Sequence, residues 1–228
     1  EACARHRTGK LRSVFKAGKR VRFRPGLPPI VKRDVSLPLE VQSGSLRLHI
    51  AEGGCRMSFD GEELGTYRAV IHQQTPEDNW ARPEKVTVTA VREDGRFTAV
   101  DLTFTHTKGA DDWPSYAAGY RLWVPKTSGG WFAAQALWVK NTSDSVWTVA
   151  EAFHFVEPSL GGSPAGDEVG GPDVPNFYIP LGCWEDPEAG IGQGVFAPTE
   201  GLDIRYWKDR DGFHSDCRRP VEARLAPG

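Results

Sequence analysis

Glu151 is the residue whose setting most suggests chemistry. It stands in Val149-Ala150-Glu151-Ala152-Phe153-His154-Phe155-Val156-Glu157, a run of strand composition. In an unbroken strand, side chains alternate between two faces. Trp147, Val149, Glu151, Phe153 and Phe155 then share one face, and His154 lies on the other with Ala150, Ala152 and Val156. A carboxylate among rings is desolvated, which raises its pKa toward what a general acid needs near neutral pH. Two other readings fit the same residues. The ring-lined face can be a ligand platform with Glu151 as hydrogen-bond acceptor, or Glu151 can be paired with an arginine or a tyrosine hydroxyl.

Histidines supply the second set. His72 follows the alternating Tyr67, Ala69 and Ile71 and precedes a polar loop that includes Glu77, Asp78, Asn79 and Trp80. His106 ends a strand carrying Val100, Leu102 and Phe104, shortly before Asp111, Asp112 and Trp113. On neighbouring strands His72, His106 and His154 could converge on one metal or one proton relay. The plainer reading is three strand-end histidines bonded to backbone. No His-x-His or CxxC spacing occurs, so no metal site is expected. The catalytic candidates are therefore Glu151, His72 and His154. Trp80, Trp113, Trp131, Glu77 and His106 are candidates for substrate binding. Trp80, Trp113, Trp131 and Trp184 adjoin Gly, Pro or acidic loop residues, and exposed indoles stack on the apolar faces of sugar rings. Trp123, Trp138, Trp147 and Trp207 sit within strand-like runs and are assigned to packing.

Other chemistries lack their residues. There is no P-loop, no dinucleotide-binding glycine fingerprint and no Gly-x-Ser-x-Gly elbow. Asp209-Arg210-Asp211-Gly212 begins like a calcium loop but lacks the spaced ligands and terminal Glu, so it reads as a hairpin turn. The cofactor is left open.

The elements that must position these residues are strands. Val86, Val88 and Ala90, then Asp94-Gly95, then Val100, Leu102 and Phe104 describe a hairpin over roughly 85–107, with Asp-Gly tolerating positive φ at the turn. Runs at 120–124, 131–139 and 146–156 are apolar on both parities, as in central strands. Residues 157–175 are rich in Gly, Pro and Ser and read as a long loop. Further strands fall at 177–184, 194–197 and 202–207. No amphipathic helix of more than three turns is evident. The expected fold is all-β, an antiparallel β-sandwich of two packed sheets.

Composition agrees. The chain has 228 residues, 39% hydrophobic and 25% charged, with Gly 25, Pro 17, Trp 8 and a single Met. No run of 18 apolar residues exists, so no transmembrane helix and no membrane partner is expected. The net charge of −2 hides an asymmetry. Residues 1–34 hold eleven Lys/Arg against two acids, and the remainder holds seventeen against twenty-eight. The expected division is a basic, irregular N-terminal arm at 1–34 and a sandwich domain at 35–228. The arm lacks the interleaved aromatics of single-strand nucleic-acid binders, which argues against nucleic acid as partner. Cys3, Cys55, Cys183 and Cys217 allow disulfides or buried thiols. Asn141-Thr142-Ser143 matches a glycosylation acceptor, or is only a polar turn. A chain starting at Glu1 and stopping after Leu225-Ala226-Pro227-Gly228 reads as part of a larger product, and a homo-oligomer is equally compatible.

The long strands, the Asp94-Gly95 hairpin, the 131–139 strand followed by Asn-Thr-Ser-Asp, and the closing Leu-Ala-Pro-Gly resemble the β-supersandwich domains of mutarotase-like proteins and polysaccharide lyases. The resemblance spans about residues 40–228 and carries over no catalytic residue. It implies carbohydrate handling in a secreted or periplasmic setting.

The resulting expectation is a carbohydrate-active β-sandwich that binds and cleaves a poly- or oligosaccharide, as hydrolase or lyase, in an acidic, histidine-bearing cleft lined by Trp. A hydrolase would pair Glu151 with a second carboxylate from Asp111, Asp112, Glu77 or Glu185. The rival is a non-catalytic binding or structural module whose basic arm contacts a partner or polyanion. A third reading is a β-barrel holding a small molecule.

Overall fold

A computed structural model describes residues 26–74, 79–81, 83–107, 114–127, 130–158, 163–164, 181–186, 191–196, 203–209 and 212–228. Its strands, in chain order, are Ile30–Val35 (β1), Leu39–Ser43 (β2), Leu46–Ala51 (β3), Gly54–Phe59 (β4), Glu62–Gln74 (β5), Asn79–Ala81 (β6), Lys85–Glu93 (β7), Phe97–His106 (β8), Tyr116–Pro125 (β9), Ala133–Asn141 (β10), Trp147–Pro158 (β11), Ser163–Pro164 (β12), Leu181–Asp186 (β13), Ile191–Phe196 (β14), Asp203–Asp209 (β15) and Gly212–Leu225 (β16). No helix occurs among the described residues.

Sheet I has five strands in the order β1-β7-β8-β9-β10. Sheet II has the order β15-β16-β11-β5-β4-β3-β2, with β6 paired to β5 as its eighth strand. All their pairings are antiparallel. A small third sheet, β12-β13-β14, completes the set. Sheets I and II pack into the expected β-sandwich.

The alternation read in the sequence builds this core. Leu46, Leu48 and Ile50 of β3 are buried while Arg47 between them is exposed. Val100, Leu102 and Phe104 of β8 meet Tyr67 of β5, whose ring stands edge-on to Phe104 at 6.5 Å and to Phe132 at 5.8 Å. Burying each such side chain contributes roughly 1.5–3 kcal/mol. Cys55 is a buried free thiol in this core, and burial pushes its pKa up to about 12.

The hairpin between β7 and β8 is present, but its turn works differently from the expectation. Neither Asp94 nor Gly95 takes a positive φ. Instead the Asp94 carboxylate accepts the backbone N–H groups of Arg96 at 2.7 Å and Phe97 at 2.8 Å. An Asx-type turn needs no left-handed residue. Those two hydrogen bonds hold the Asp94 carboxyl below the usual carboxylate range.

The segment boundary also differs. Residues 30–34, counted with the basic arm, belong to β1 and edge sheet I through pairs such as Arg33–Ala90. Edge positions tolerate the exposed Lys32 and Arg33. Residues 1–25 lie outside the described residues.

Candidate functional site

β11 does form an extended strand through Glu151, but a β-bulge changes which residues share a face. Val149 pairs with Gln73 and Glu151 pairs with His72, leaving Ala150 as the extra residue. An inserted residue shifts the alternation of everything after it. Trp147 and Val149 are buried in the core, at 6% and 1% exposure. Beyond the bulge, Ala152, His154 and Val156 pair with Ile71, Ala69 and Tyr67, the core-facing positions of β5. Glu151 is therefore out of step with Trp147 and Val149, at the register level of His72. The expected grouping of Trp147 and Val149 with Glu151 is corrected accordingly.

Three candidates fall into one register row. Trp80 of β6 pairs with His72 of β5, and His72 pairs with Glu151 of β11. Directly paired positions in antiparallel strands lie about 4.5–5.5 Å apart. Trp80, His72 and Glu151 thus occupy consecutive strands at one level of the sheet, with Pro220 of β16 next in line. Sheet II has a second such row lower down, where Glu40, His49, Arg56, Thr66 and Glu157 are paired in sequence across β2, β3, β4, β5 and β11. There His49 Nδ1 lies 3.3 Å from Glu40 Oε1.

The remaining candidates are dispersed. His154 sits at the register level of Ala69 and Cys217. His106 is 4% exposed, stacked on Tyr116 at 5.6 Å, with Nδ1 3.8 Å from Glu84 Oε1. His106 belongs to sheet I, and His72 and His154 stand at different register levels of sheet II, so the three positions do not meet in one row. Trp131 precedes β10 on sheet I, is 41% exposed and stands edge-on to Phe97 at 6.2 Å. Glu185 lies in β13, paired with Ser163 and Gly192. Glu77, Trp113, Asp111 and Asp112 lie outside the described residues.

Two features of sheet I were missed in the sequence. The first is an ion triad on its outer face. Asp101 of β8 accepts from Arg92 Nε at 2.9 Å, from Arg121 Nη2 at 3.1 Å and from Arg121 Nε. Burial alone would raise the Asp101 pKa, but the hydrogen bonds and charges of Arg121 and Arg92 outweigh it and the carboxyl ionises below its ordinary value. Arg121 also sits over the Trp123 ring, 5.6 Å from its centroid. The pairing Asp101–Arg121 follows from the β8–β9 register, which no local motif announces.

The second feature is Trp138. It is 45% exposed rather than packed inside. A bulge at Leu137 shifts the alternation of β10, so Ala136 pairs with Tyr120 but Trp138 pairs with Gly119. The indole lies directly across the glycine: a Cβ there would come within 2.2 Å of Trp138 Nε1. An interior strand glycine marks such close approaches, and Gly119 was the available signal.

Asn141 resolves another ambiguity. It is 2% exposed, and its Nδ2 donates to Ser145 O at 2.8 Å and Leu225 O at 3.1 Å. Its Oδ1 accepts from Ser143 N and Oγ. The amide nitrogen is committed to the turn and to β16, so the folded chain does not present it for glycosylation. Comparison of the chain with protein-family models, curated proteins and solved structures gave no match.

Proposed function

We propose that this protein is a carbohydrate-active β-sandwich whose sugar-handling row is Trp80, His72 and Glu151, paired across β6, β5 and β11 of sheet II. The observation that supports this reading is the register itself. Residues nominated for separate reasons, from segments nearly eighty positions apart, occupy adjacent positions on three consecutive strands. The chemistry suits a glycan. An indole offers an apolar surface to a sugar ring, and a carboxylate and an imidazole bind hydroxyls or relay a proton. His72 and Glu151 supply a base and an acid for elimination, and Glu151 with a second carboxylate would serve hydrolysis.

The test is turnover on a panel of polysaccharides with wild type, Glu151→Gln and His72→Ala. Both substitutions should leave the thermal midpoint within a few degrees. Each should lower turnover by about 10²–10⁴-fold if it removes an acid or base. Elimination yields an unsaturated sugar with new ultraviolet absorbance, and hydrolysis yields reducing ends alone. Wild-type rates and affinities in both variants would remove these residues from the site. Stable self-assembly without any glycan signal would favour the interaction-module alternative.

A further inference from the structure

The outer face of sheet I carries an exposed indole among exposed cations, with Arg121 of the same face held by Asp101. Register defines it. Lys140, Ala117, Thr105 and Lys85 are paired in sequence across β10, β9, β8 and β7. At the next level come Trp138, Gly119, Thr103 and Thr87. Next again are Gln135, Arg121, Asp101, Ala90 and Arg33, reaching β1. Successive levels on one face are two residues apart, about 7 Å. The charged residues of these three rows are Lys140, Lys85, Arg121 and Arg33 against the single acid Asp101. Lys85, Lys140 and Arg33 are exposed and make no ion pair among the described residues.

On the middle level lies the Trp138 indole, over Gly119 and 45% exposed. Gln135, on the level of Arg121, accepts from Trp123 Nε1 at 3.2 Å. We infer that this face binds an acidic polysaccharide, with a sugar ring stacked on Trp138 and its anionic groups drawn to the flanking Lys and Arg side chains. The ligand class, a polysaccharide, rests on the function proposed above; the residues do not. A polysaccharide fits the exposed Trp138 indole with Thr103 and Thr87 on its level. A single-stranded nucleic acid is served by a succession of stacking rings.

Binding is measured by Trp fluorescence and calorimetry with polygalacturonate, chondroitin sulfate, a neutral galactan and a single-stranded oligonucleotide. Polygalacturonate and chondroitin sulfate separate carboxylate from sulfate as the anion read. Wild type should bind at least one of the two and neither control. Trp138→Ala should weaken binding about tenfold. Gly119→Ala should do the same by tilting the indole off the sheet, with the thermal midpoint unchanged because only a side-chain end must move. Lys85→Glu with Lys140→Glu should cost tenfold or more in dilute buffer and little at about 1 M salt, where the Debye length is ~3 Å. Arg47→Ala, an exposed position of β3 on sheet II, should bind as wild type does. No acidic glycan bound, equal binding of the neutral galactan, tighter binding of the oligonucleotide, or indifference to Gly119→Ala would each overturn the inference. Loss of binding in Arg47→Ala would overturn it too, by moving the site to the other sheet. Acidic-glycan binding with no turnover would instead sink the row on sheet II and leave this face standing.

Discussion

Asp101→Asn isolates the strongest electrostatic unit in the sandwich. The wild-type carboxylate stands between two guanidinium groups. Its side chain is 12% exposed, Arg121 is 12% exposed and Arg92 is 18% exposed. Surface ion pairs contribute about 0.2–1 kcal/mol, whereas removing one partner of a buried pair costs roughly 3–5 kcal/mol. The triad lies nearer the buried limit, and the amide leaves two cations facing one another across β8. The expected loss is about 2–4 kcal/mol, which for a chain of this length lowers the thermal midpoint by roughly 5–12 °C. Urea titration should move the midpoint concentration without changing the slope. The pH dependence has a defined sign. Asp101 ionises below its ordinary value of 3.8 in the folded chain, so near and below that value the unfolded chain binds more protons. The stabilisation is fully present above that pH and fades as pH falls through the lower, folded value. Wild type and Asp101→Asn should therefore differ fully at pH 7 and converge in acid. A variant within about 0.5 kcal/mol of wild type at pH 7 would refute this account. So would a gap that persists in acid.

Two further outcomes follow from buried groups. Asn141→Ala removes donors to Ser145 O and Leu225 O and the acceptor for Ser143, and should cost about 2–3 kcal/mol in urea unfolding. The wild-type chain expressed with glycosylation machinery should carry no sugar at Asn141 by intact mass. Cys55, with its thiol pKa pushed up to about 12, should resist alkylation at pH 8 in the native protein and react on unfolding; native labelling at that residue would contradict its burial.

Local signals and non-local ones fared differently in the sequence. The β7–β8 hairpin was legible because Val86, Val88, Val100, Leu102 and Phe104 alternate on either side of a turn-forming Asp94-Gly95. The strand character of 131–139 and 146–156 was legible from β-branched and aromatic content. Its two-sided apolar appearance was misread at β10, where Leu137 and Trp138 are exposed at 38% and 45%. Asp101, Arg92 and Arg121 were invisible as a unit because their contact depends on the β7–β8 and β8–β9 registers. Among site candidates, Glu151, His72 and Trp80 were chosen from local context, and only pairing shows that they share a level. His106 carried the same local context, yet its parity on β8 turns it into the core beside Tyr116.

The misreadings of Trp138 and Glu151 share one cause. An uninterrupted β11 would carry Glu151 on the face of Trp147 and Val149, inside the sandwich. An unpaired carboxylate there would lose its hydration and would have to neutralise or find a cation. An uninterrupted β10 would likewise align Trp138 with Ala134 and Ala136, opposite the filled positions of Tyr120 and Ala118. In each strand a single additional residue, Ala150 or Leu137, reverses the alternation at the position that matters. The residues before each bulge still serve the core: Val149 is 1% exposed and Ala134 packs against the buried cluster. The bulge lets one strand contribute to the interior at one end and to an exterior surface at the other. Bulges re-aim side chains and recur beside functional sites. Further register shifts occur at Ile30/Lys32, Met57/Ser58 and Val88/Ala90, and those at Ala150 and Leu137 are the ones that set the register of the two proposed ligand rows.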